Sequence, residues 1–400
     1  AKNPAGWAEL LELLRGSESP VVVGINARVA DGHDPSWLWD VNFEEFTGRD
    51  VVATGERCGD LAVRLKYAGL RHATVPDQRE ALSAPGVSYV EYVGNYTAFQ
   101  QLRRAVVTRS ASKVPSAVTW HEPKGVPEAT ESFRRVGAVR DSVLRIAVVH
   151  PDLLGTYGDG GNGKILACRA AWRGWPVELL LARSDMALPS ADIYCIGGGE
   201  DAPQVESAML LQASILASAV DGGAAVLAVC AGFQVVGRSF PDANGSEHEG
   251  LGLLDVVTTR GTGPRSVGEV TADPVAPAIG TVSLKRFTGF ENHSGVTRLG
   301  TGCEPLGTVA SGVGNGDGSN TEGAWHARVV GTYLHGPVLA RNPALADAML
   351  HLATGRTIEP LDDSEEDALR IERLGSVRHT HGSRSARRTL SLAELIRIRG

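Results

Sequence analysis

The stretch GGAAVLAVCAGFQVVG, residues 222–237, constrains the fold of this chain more than any other feature. A short run of strand-forming apolar residues stops at Cys230 and gives way to a glycine, Gly232, two residues later. A buried strand that turns sharply into a helix explains this order, and the cysteine then lies on the turn. Turns at the carboxyl ends of parallel strands are where such sheets bind ligands. The sequence therefore favours a functional Cys230 over a buried structural cysteine, which is the more common use of a free thiol.

Strand and helix patterns alternate along the rest of the chain, which predicts the α/β class with two doubly wound domains, the second flavodoxin-like. In residues 1–108 the strand patterns are 20–25, 50–55 and 87–93, and the helical patterns are 58–70 and 95–106. In residues 144–357 the strand patterns are 145–150, 176–182, 191–198 and 224–229, and the helical patterns are 164–175 and 204–220. Residues 109–143, which are rich in proline and serine, predict a linker or extended arm, and residues 358–400 predict a charged, partly helical tail.

The composition argues against several classes of protein. The formal net charge of −7 gives no electrostatic reason to expect binding to nucleic acid or to a membrane surface. No apolar run is long enough to cross a bilayer, and the first residues lack the apolar stretch of a signal peptide. The five cysteines are scattered and never spaced as CxxC, which argues against a disulfide scaffold and a structural zinc site. We therefore expect a cytoplasmic protein with reduced thiols and no bound metal.

A nucleophilic cysteine needs a base. The predicted turn puts Cys230 at the start of a helix, where the positive end of the dipole favours the thiolate, and leaves the next backbone N–H free for an oxyanion. Among the eleven histidines, His335 in VVGTYLHGP also ends a strand-like run at a glycine. His293, in ENHSG, is the alternative. The pattern favours His335 only modestly, because a histidine on a loop is often just solvated.

Three further stretches contain glycines or acidic residues that could form part of a binding site. The glycines of IGGGEDAPQ, residues 196–204, can offer backbone N–H groups to an anion, or can simply allow a turn. The stretch GDGGNGK, residues 158–164, matches the start of a P-loop, but Ile165 stands where magnesium binding needs Ser or Thr, so we expect no phosphate site there. The acidic turn that contains Asp34, within residues 26–44, is either a polar turn or a source of a carboxylate for another domain.

Several of these stretches together resemble a known family. GTYGDGGN, GGGEDAPQ, AVCAGFQ, GFENHSG and GTYLHG fall in the same order, over residues 144–357, as in class I glutamine amidotransferases of the cobyric acid synthase type. Within that family the stretches are most similar to the GatD subunits of lipid II isoglutaminyl synthase. AKNPAGW, NARVADGHDPSWLWDVNFE and VGNYTAF in the first unit resemble the C-terminal, Mur-ligase-like domain of MurT, the partner subunit of GatD.

The resemblance implies a role for each matched residue. Cys230 is the nucleophile, His335 is its base, and the N–H groups of Gly198 and Ala231 form the oxyanion hole. Arg265 and Gln234 bind the glutamine substrate. Where many class I enzymes have a glutamate two residues after the histidine, this chain has Pro337, and the family match assigns the third member of the triad to Asp34 of the first unit. Ala228 replaces the first glycine of the family pattern GxCxGxQ.

The resemblance also implies a reaction and its partners. Glutamine is hydrolysed, and ammonia passes to a Mur-ligase-like ATPase domain that binds ATP and Mg and amidates the D-glutamate of lipid II in peptidoglycan synthesis. No GTNGKT-like loop or CxxC pair of that domain occurs in these residues, so we expect this chain to bind no cofactor itself and to act as a glutaminase. The alternatives are an amidotransferase or γ-glutamyl hydrolase with another acceptor, and a non-catalytic subunit that docks a Mur ligase.

Overall fold

A computed structural model describes residue 1 and residues 3–107, 118–131 and 143–385 of the chain. The predicted linker residues 109–117 and 132–142 and the tail residues 386–400 lie outside the described part. The first unit contains the helices α1 (Pro4–Leu13), α2 (Cys58–Tyr67), α3 (Gln78–Ser83) and α4 (Tyr96–Val107), with 3₁₀ turns at Ser36–Asp40 and Phe43–Phe46. Its strands are β1 (Val21–Gly24), β2 (Val51–Thr54), β3 (His72–Thr74), β4 (Glu91–Gly94) and β5 (Trp120–His121).

The second unit is larger and has a parallel sheet with a layer of antiparallel strands beside it. Its helices are α5 (Gly161–Ala171), α6 (Asp201–Gln212), α7 (Leu216–Asp221), α8 (Ala231–Val235), α9 (Val338–Arg341), α10 (Pro343–Thr354) and α11 (Ser364–Ser385). The strands of the main sheet are β6 (Ala129–Thr130), β7 (Leu144–Val149), β8 (Val177–Ala182), β9 (Ile193–Ile196), β10 (Ala225–Val229), β21 (Ala324–His326) and β22 (Val329–Thr332). The remaining strands are β11 (Ser239–Pro241), β12 (Glu247–Glu249), β13 (Val256–Arg260), β14 (Ser266–Pro274), β15 (Ala278–Ile279), β16 (Val282–Ser283), β17 (Phe287–His293), β18 (Gly295–Leu299), β19 (Gly307–Ser311) and β20 (Thr321–Glu322).

The first sheet has the strand order β4-β1-β2-β3-β5, with β5 antiparallel at one edge and the other four strands parallel. All four residues of β1 and all four of β2 are buried, as expected for strands covered by helices on both faces. The α/β class predicted from the alternating patterns is confirmed for this unit.

The main sheet of the second unit has the order β21-β22-β10-β9-β7-β8-β6, and all its strands except β21 run parallel. The registers pair Val149 with Ile196, Ala228 with Ile196 and Val229 with Thr332, so four neighbouring strands end at nearly the same level. The loops that follow β7, β9, β10 and β22 therefore meet at one edge of the sheet, the edge where this class of fold binds ligands.

Two segments differ from the patterns in the sequence. The single helix predicted for 204–220 is two helices, because Ser214 accepts a hydrogen bond from the Leu216 N–H and starts a second helix there. The segment predicted as a linker adds one short strand to each sheet, β5 to the first and β6 to the second. These pairings could not be seen in the sequence, because each strand is only two residues long.

Buried side chains join the two units. The rings of Tyr67 and Trp172 lie 5.0 Å apart, and Arg341, which is fully buried, pairs with Asp60 across the boundary at 3.2 Å. Helix α11 packs on α2 of the first unit as well as on the second unit, and its Glu366 accepts a 2.7 Å hydrogen bond from Lys66 Nζ. Among the described helices, none combines the length and apolarity needed to cross a membrane.

Candidate active site

Cys230 lies on the turn between β10 and α8, as the opening stretch of the sequence predicts. Its backbone has φ 53° and ψ −105°, a conformation that non-glycine residues rarely adopt. The neighbouring strand holds this turn, because the Cys230 N–H donates to the Thr332 carbonyl at 2.8 Å. The Cys230 carbonyl in turn accepts from the Gln234 N–H at 3.1 Å, which continues the chain into the helix. The strained turn presents the thiol at the carboxyl edge of the sheet.

His335 follows β22, the strand next to β10, and its side chain is fully buried. Backbone hydrogen bonds with Phe290 in both directions, at 2.9 and 3.1 Å, fix the residue to the antiparallel layer. Its Nδ1 donates to Oδ2 of Asp159 at 3.0 Å, which leaves Nε2 as the nitrogen available to the thiol. No hydrogen bond of ordinary geometry to Nε2 occurs within the described residues, although Cys230 acts electrostatically on the ring.

The alternative histidine, His293, has a different environment. Its Nδ1 lies 3.0 Å from the Gly295 carbonyl, and its ring stacks on Tyr333 with 3.7 Å between centroids. The structure therefore pairs His335, and not His293, with a buried aspartate.

The structure corrects the sequence prediction for the carboxylate that orients the histidine. Asp159, on the loop after β7, occupies this position, whereas Asp34 accepts hydrogen bonds at Oδ1 from the N–H and hydroxyl of Ser36. An aspartate two residues before a serine commonly closes its own turn in this way. The sequence pattern does not single out Asp159, because GTYGDGGN resembles the start of a phosphate-binding loop. Its position after a parallel strand was the available signal.

The charges of the site favour a protonated histidine. Burial lowers the pKa of His335, but the charges of Asp159 and Cys230 and the hydrogen bond to Asp159 raise it more, and the net pKa lies well above the usual value. Asp159 has no exposed side-chain surface, so its charge acts on the ring with little screening by water. The arrangement therefore suits a protonated imidazole beside Cys230.

The predicted oxyanion hole is also corrected in part. The Gly198 N–H donates to Oδ2 of Asp159 at 2.9 Å, so it is not directed to a substrate. A Cβ on Gly198 would lie 2.8 Å from Cε1 of His335, so only glycine allows the histidine to come this close. Gly199 and Ala231 line the cavity beside Cys230. Ala231 is the first residue of α8, where backbone N–H groups have no acceptor within the helix.

The cavity beside the thiol carries charges of both signs. Arg260, Arg265, Asp201 and Asp242 line it together with Cys230. Arg265 is held in place by Asn292, which accepts from Nε at 2.6 Å through its side chain and from Nη2 at 2.9 Å through its carbonyl. Two arginines and two aspartates around one small cavity suit a ligand that carries both a carboxylate and an ammonium group.

Gln234 was predicted to bind the substrate, and it does line the cavity. Its amide, however, is already paired at both ends. Its Oε1 accepts from Gln204 Nε2 at 2.9 Å, and its Nε2 donates to the Tyr333 hydroxyl at 3.2 Å. The structure gives Gln234 the role of a fixed wall of the cavity.

The loop that carries Asp159 is held by the first unit. A Cβ on Gly161 would lie 2.5 Å from the Trp39 ring, so the indole packs directly on the end of the loop. The Ser36 carbonyl packs against Gly158 on the other side of Asp159, where a Cβ would lie 2.1 Å from it. Burial followed by the charge of Asp159 raises the pKa of the neighbouring Asp40 to about 7. The Asp40 side chain is nevertheless exposed, at the mouth of a cleft between the units, so water screens much of this effect.

The described residues contain no cluster of three or more His, Cys, Asp or Glu side chains placed to hold a metal. In the stretch that resembles a P-loop, Lys164 forms an ion pair with Glu44 of the first unit. Burial raises the pKa of Glu44, but Arg64 and Lys164 lower it more, to about 2. This lysine therefore joins the two units through an ion pair.

Comparison with known proteins gives two family matches and several relatives. Residues 145–343 match the CobB/CobQ-like glutamine amidotransferase domain, and residues 1–99 match the MurT ligase C-terminal domain. The GatD subunit of lipid II isoglutaminyl synthase (glutamine-hydrolyzing) from Staphylococcus aureus is 34% identical over 220 residues, which cover 54% of this chain and 86% of that protein. The Streptococcus pneumoniae GatD subunit is 33% identical over 207 residues, 51% of this chain and 77% of that protein. A cobyric acid synthase from Pelotomaculum thermopropionicum is 34% identical over 341 residues, 81% of this chain and 60% of that protein.

Proposed function

The chain belongs to the family of CobB/CobQ-like glutamine amidotransferases that includes the GatD subunits, and we propose that it is the glutaminase of a lipid II isoglutaminyl synthase. The observation that carries this proposal is the row formed by Cys230, His335 and Asp159 at the carboxyl edge of one parallel sheet. A nucleophile, a base and a buried orienting carboxylate in that order are the requirements for acyl transfer from an amide. A subunit that only docks a partner needs none of the three.

The chemistry follows from the positions of these groups. The Cys230 thiolate attacks the side-chain amide carbon of L-glutamine and forms a tetrahedral oxyanion, which the N–H groups of Ala231 and Gly199 stabilise. His335 gives its proton to the leaving nitrogen, so ammonia departs and a γ-glutamyl thioester remains. His335 then takes a proton from water, which attacks the thioester and releases glutamate and the thiolate. Asp159 holds the imidazole in orientation through Nδ1 in both steps.

Recognition of the substrate uses the charges of the cavity. Arg265, oriented by Asn292, binds the α-carboxylate of glutamine, and Asp201 or Asp242 accepts from the α-ammonium group. The neutral side-chain amide is then directed to Cys230. Gln234 supports the wall between these positions.

The acceptor of the ammonia is proposed from the first unit and from the relatives. The MurT ligase C-terminal match covers residues 1–99, and the GatD proteins are named as subunits of lipid II isoglutaminyl synthase. The ammonia would amidate the α-carboxyl of D-glutamate in the lipid II stem peptide, in the cytoplasm. That step needs a Mur-ligase-like ATPase domain that binds ATP and Mg and activates the carboxyl. The match to cobyric acid synthase favours a corrinoid acceptor as the second candidate, but it does not account for the MurT-type domain.

A glutaminase assay tests the proposal most directly. We expect the full chain to release glutamate and ammonia from L-glutamine, and Cys230→Ala to lose this activity by at least roughly 10⁴-fold, since no other group can form the thioester. Cys303→Ser is the matched control, because this partly exposed thiol donates only to the Asp255 carbonyl and should leave the rate unchanged. Release of glutamate by Cys230→Ala at the wild-type rate would disprove the assignment of Cys230 as the nucleophile.

A second experiment identifies the acceptor of the ammonia. Addition of a MurT ATPase domain with ATP, Mg and lipid II should yield amidated lipid II, whereas amidation of a corrinoid acid instead would select the second candidate.

A further inference from the structure

Tyr157 lies on the same loop as Asp159 but is not used by the mechanism above. Its ring centroid is 4.8 Å from that of the His335 imidazole, with 53° between the planes. A Cβ on Gly198 would lie 3.4 Å from Cδ2 of Tyr157, so the ring also packs on the glycine turn. The side chain is only half-buried, so part of it reaches solvent. Tyr157 therefore packs against His335 beside the turn that carries Gly198.

The hydroxyl end of Tyr157 lies beside the arginine proposed to bind the substrate. Burial and the charge of Glu200 raise the pKa of Tyr157, while the nearby Arg265 lowers it less. The phenol is thus neutral and keeps a proton to donate. Because Asn292 fixes Arg265 through Nε and Nη2, the guanidinium and the hydroxyl have a defined relative position. Two donors beside each other can bind the two oxygens of one carboxylate.

We propose that Tyr157 is a specificity-determining residue for glutamine, whose hydroxyl binds the α-carboxylate together with Arg265 while its ring shields His335 from water. This inference rests on the proposed glutaminase activity and adds a second carboxylate donor to it. The hydroxyl and the ring then have separate roles. The hydroxyl acts on the binding of any substrate that has an α-carboxylate, and the ring acts on the chemical step by keeping the imidazole oriented and dry.

The two roles predict different kinetics for two variants. Tyr157→Phe keeps the ring and should raise KM for L-glutamine roughly 10-fold, with kcat within about twofold of the wild type, because one hydrogen bond to a charged group is lost. Tyr157→Ala should show the same increase in KM and also a lower kcat. Tyr89→Phe is the matched control, since Tyr89 is 64% exposed on the first unit, and it should change neither constant.

A substrate without the α-carboxylate shows whether the Tyr157 hydroxyl acts on carboxylate binding in particular or on activity in general. For 4-aminobutanamide, which has the amide and the amine of glutamine but no α-carboxylate, kcat/KM should be the same in the wild type and in Tyr157→Phe. An unchanged KM for glutamine in Tyr157→Phe, or an equal loss of kcat/KM for both amides, would overturn the inference. These outcomes are read in an active enzyme, so they differ from failure of the proposed function, in which the wild type itself releases no ammonia from glutamine. Calorimetric titration of L-glutamine into Cys230→Ala, with and without Tyr157→Phe, measures the same loss of affinity without catalysis.

Discussion

Asp34 and Asp159 occupy comparable positions in the two units but have different partners. Each lies on the loop that follows a central parallel strand of its own sheet, β1 or β7. Asp34 accepts from the N–H and hydroxyl of Ser36, so its charge is used within its own turn. Asp159 is fully buried and accepts from His335 Nδ1 and the Gly198 N–H, both of which come from other strands of its sheet. The comparison shows that a carboxylate acts on a distant histidine when the sheet, and not its own turn, supplies its donors.

The first unit still acts on the site, but through packing. Its 3₁₀ turn at Ser36–Asp40 places Trp39 against Gly161 and the Ser36 carbonyl against Gly158, on either side of Asp159. The loop that carries Tyr157 and Asp159 is therefore held between the two units. This explains how a MurT-type domain can affect a glutaminase centre without contributing a residue to the triad.

The largest expected effect compares the two aspartates directly. Asp159→Asn should lower kcat for glutamine hydrolysis by roughly 10³-fold, because the neutral amide no longer stabilises the imidazolium. It should also move the high-pH limit of activity to lower pH, since the pKa of His335 is raised by Asp159. Asp34→Asn should lower kcat less than about threefold. Initial rates over a pH series measure both effects, and a loss in Asp34→Asn as large as that in Asp159→Asn would restore the cross-domain triad.

A site residue can be predicted from the sequence when a local pattern indicates its position, but not when its role depends on contacts with residues far away in the chain. The apolar run before Cys230 and the strand-like run before His335 are local patterns, and they predict that each residue follows the end of a strand. The pairing of Asp159 with His335 joins residues 176 positions apart, and it depends on the order of the strands in the sheet, which no local pattern encodes. Asp34 was assigned through resemblance, without the turn-closing bond to Ser36 that only the structure reveals. The N–H of Gly198 was misassigned for the same reason, because its acceptor is Asp159.

A smaller effect tests whether the first unit acts through the loop. Trp39→Ala removes the ring that packs on Gly161 and should lower kcat roughly 10-fold, because Asp159 and Tyr157 lose a fixed position. Trp37→Ala is the matched control, since Trp37 lies in the same turn but packs on Trp7 at 6.1 Å, inside the first unit. It should lower the melting temperature without a comparable loss of kcat. If kcat falls equally in both variants, the turn contributes only to stability.

The smallest effect concerns a buried carboxylate that lacks the cationic partner of Asp159. Glu322 is fully buried; its Oε1 accepts from the Thr332 hydroxyl and the Tyr333 N–H, just before His335, while burial raises its pKa to about 7. Between the unfolded value of 4.5 and about 7 the folded protein holds a proton that the unfolded chain has released, so the free energy of unfolding falls as pH rises through this window. Glu322→Gln removes the titration and should be more stable than the wild type by about 1–3 kcal/mol at pH 8, with little difference at pH 5.

Calorimetric melting of the wild type, Glu322→Gln and the exposed control Glu304→Gln at both pH values measures this difference. Equal destabilisation of Glu322→Gln at pH 5 and pH 8 would mean that its two accepted hydrogen bonds, and not its charge, govern its contribution. A gain in the stability of Glu322→Gln that occurs only at pH 8 would support the difference proposed between Glu322 and Asp159. Of two fully buried carboxylates in the same unit, one pairs with His335 at 3.0 Å, whereas the other has no cationic partner among the described residues and lowers stability when it ionises.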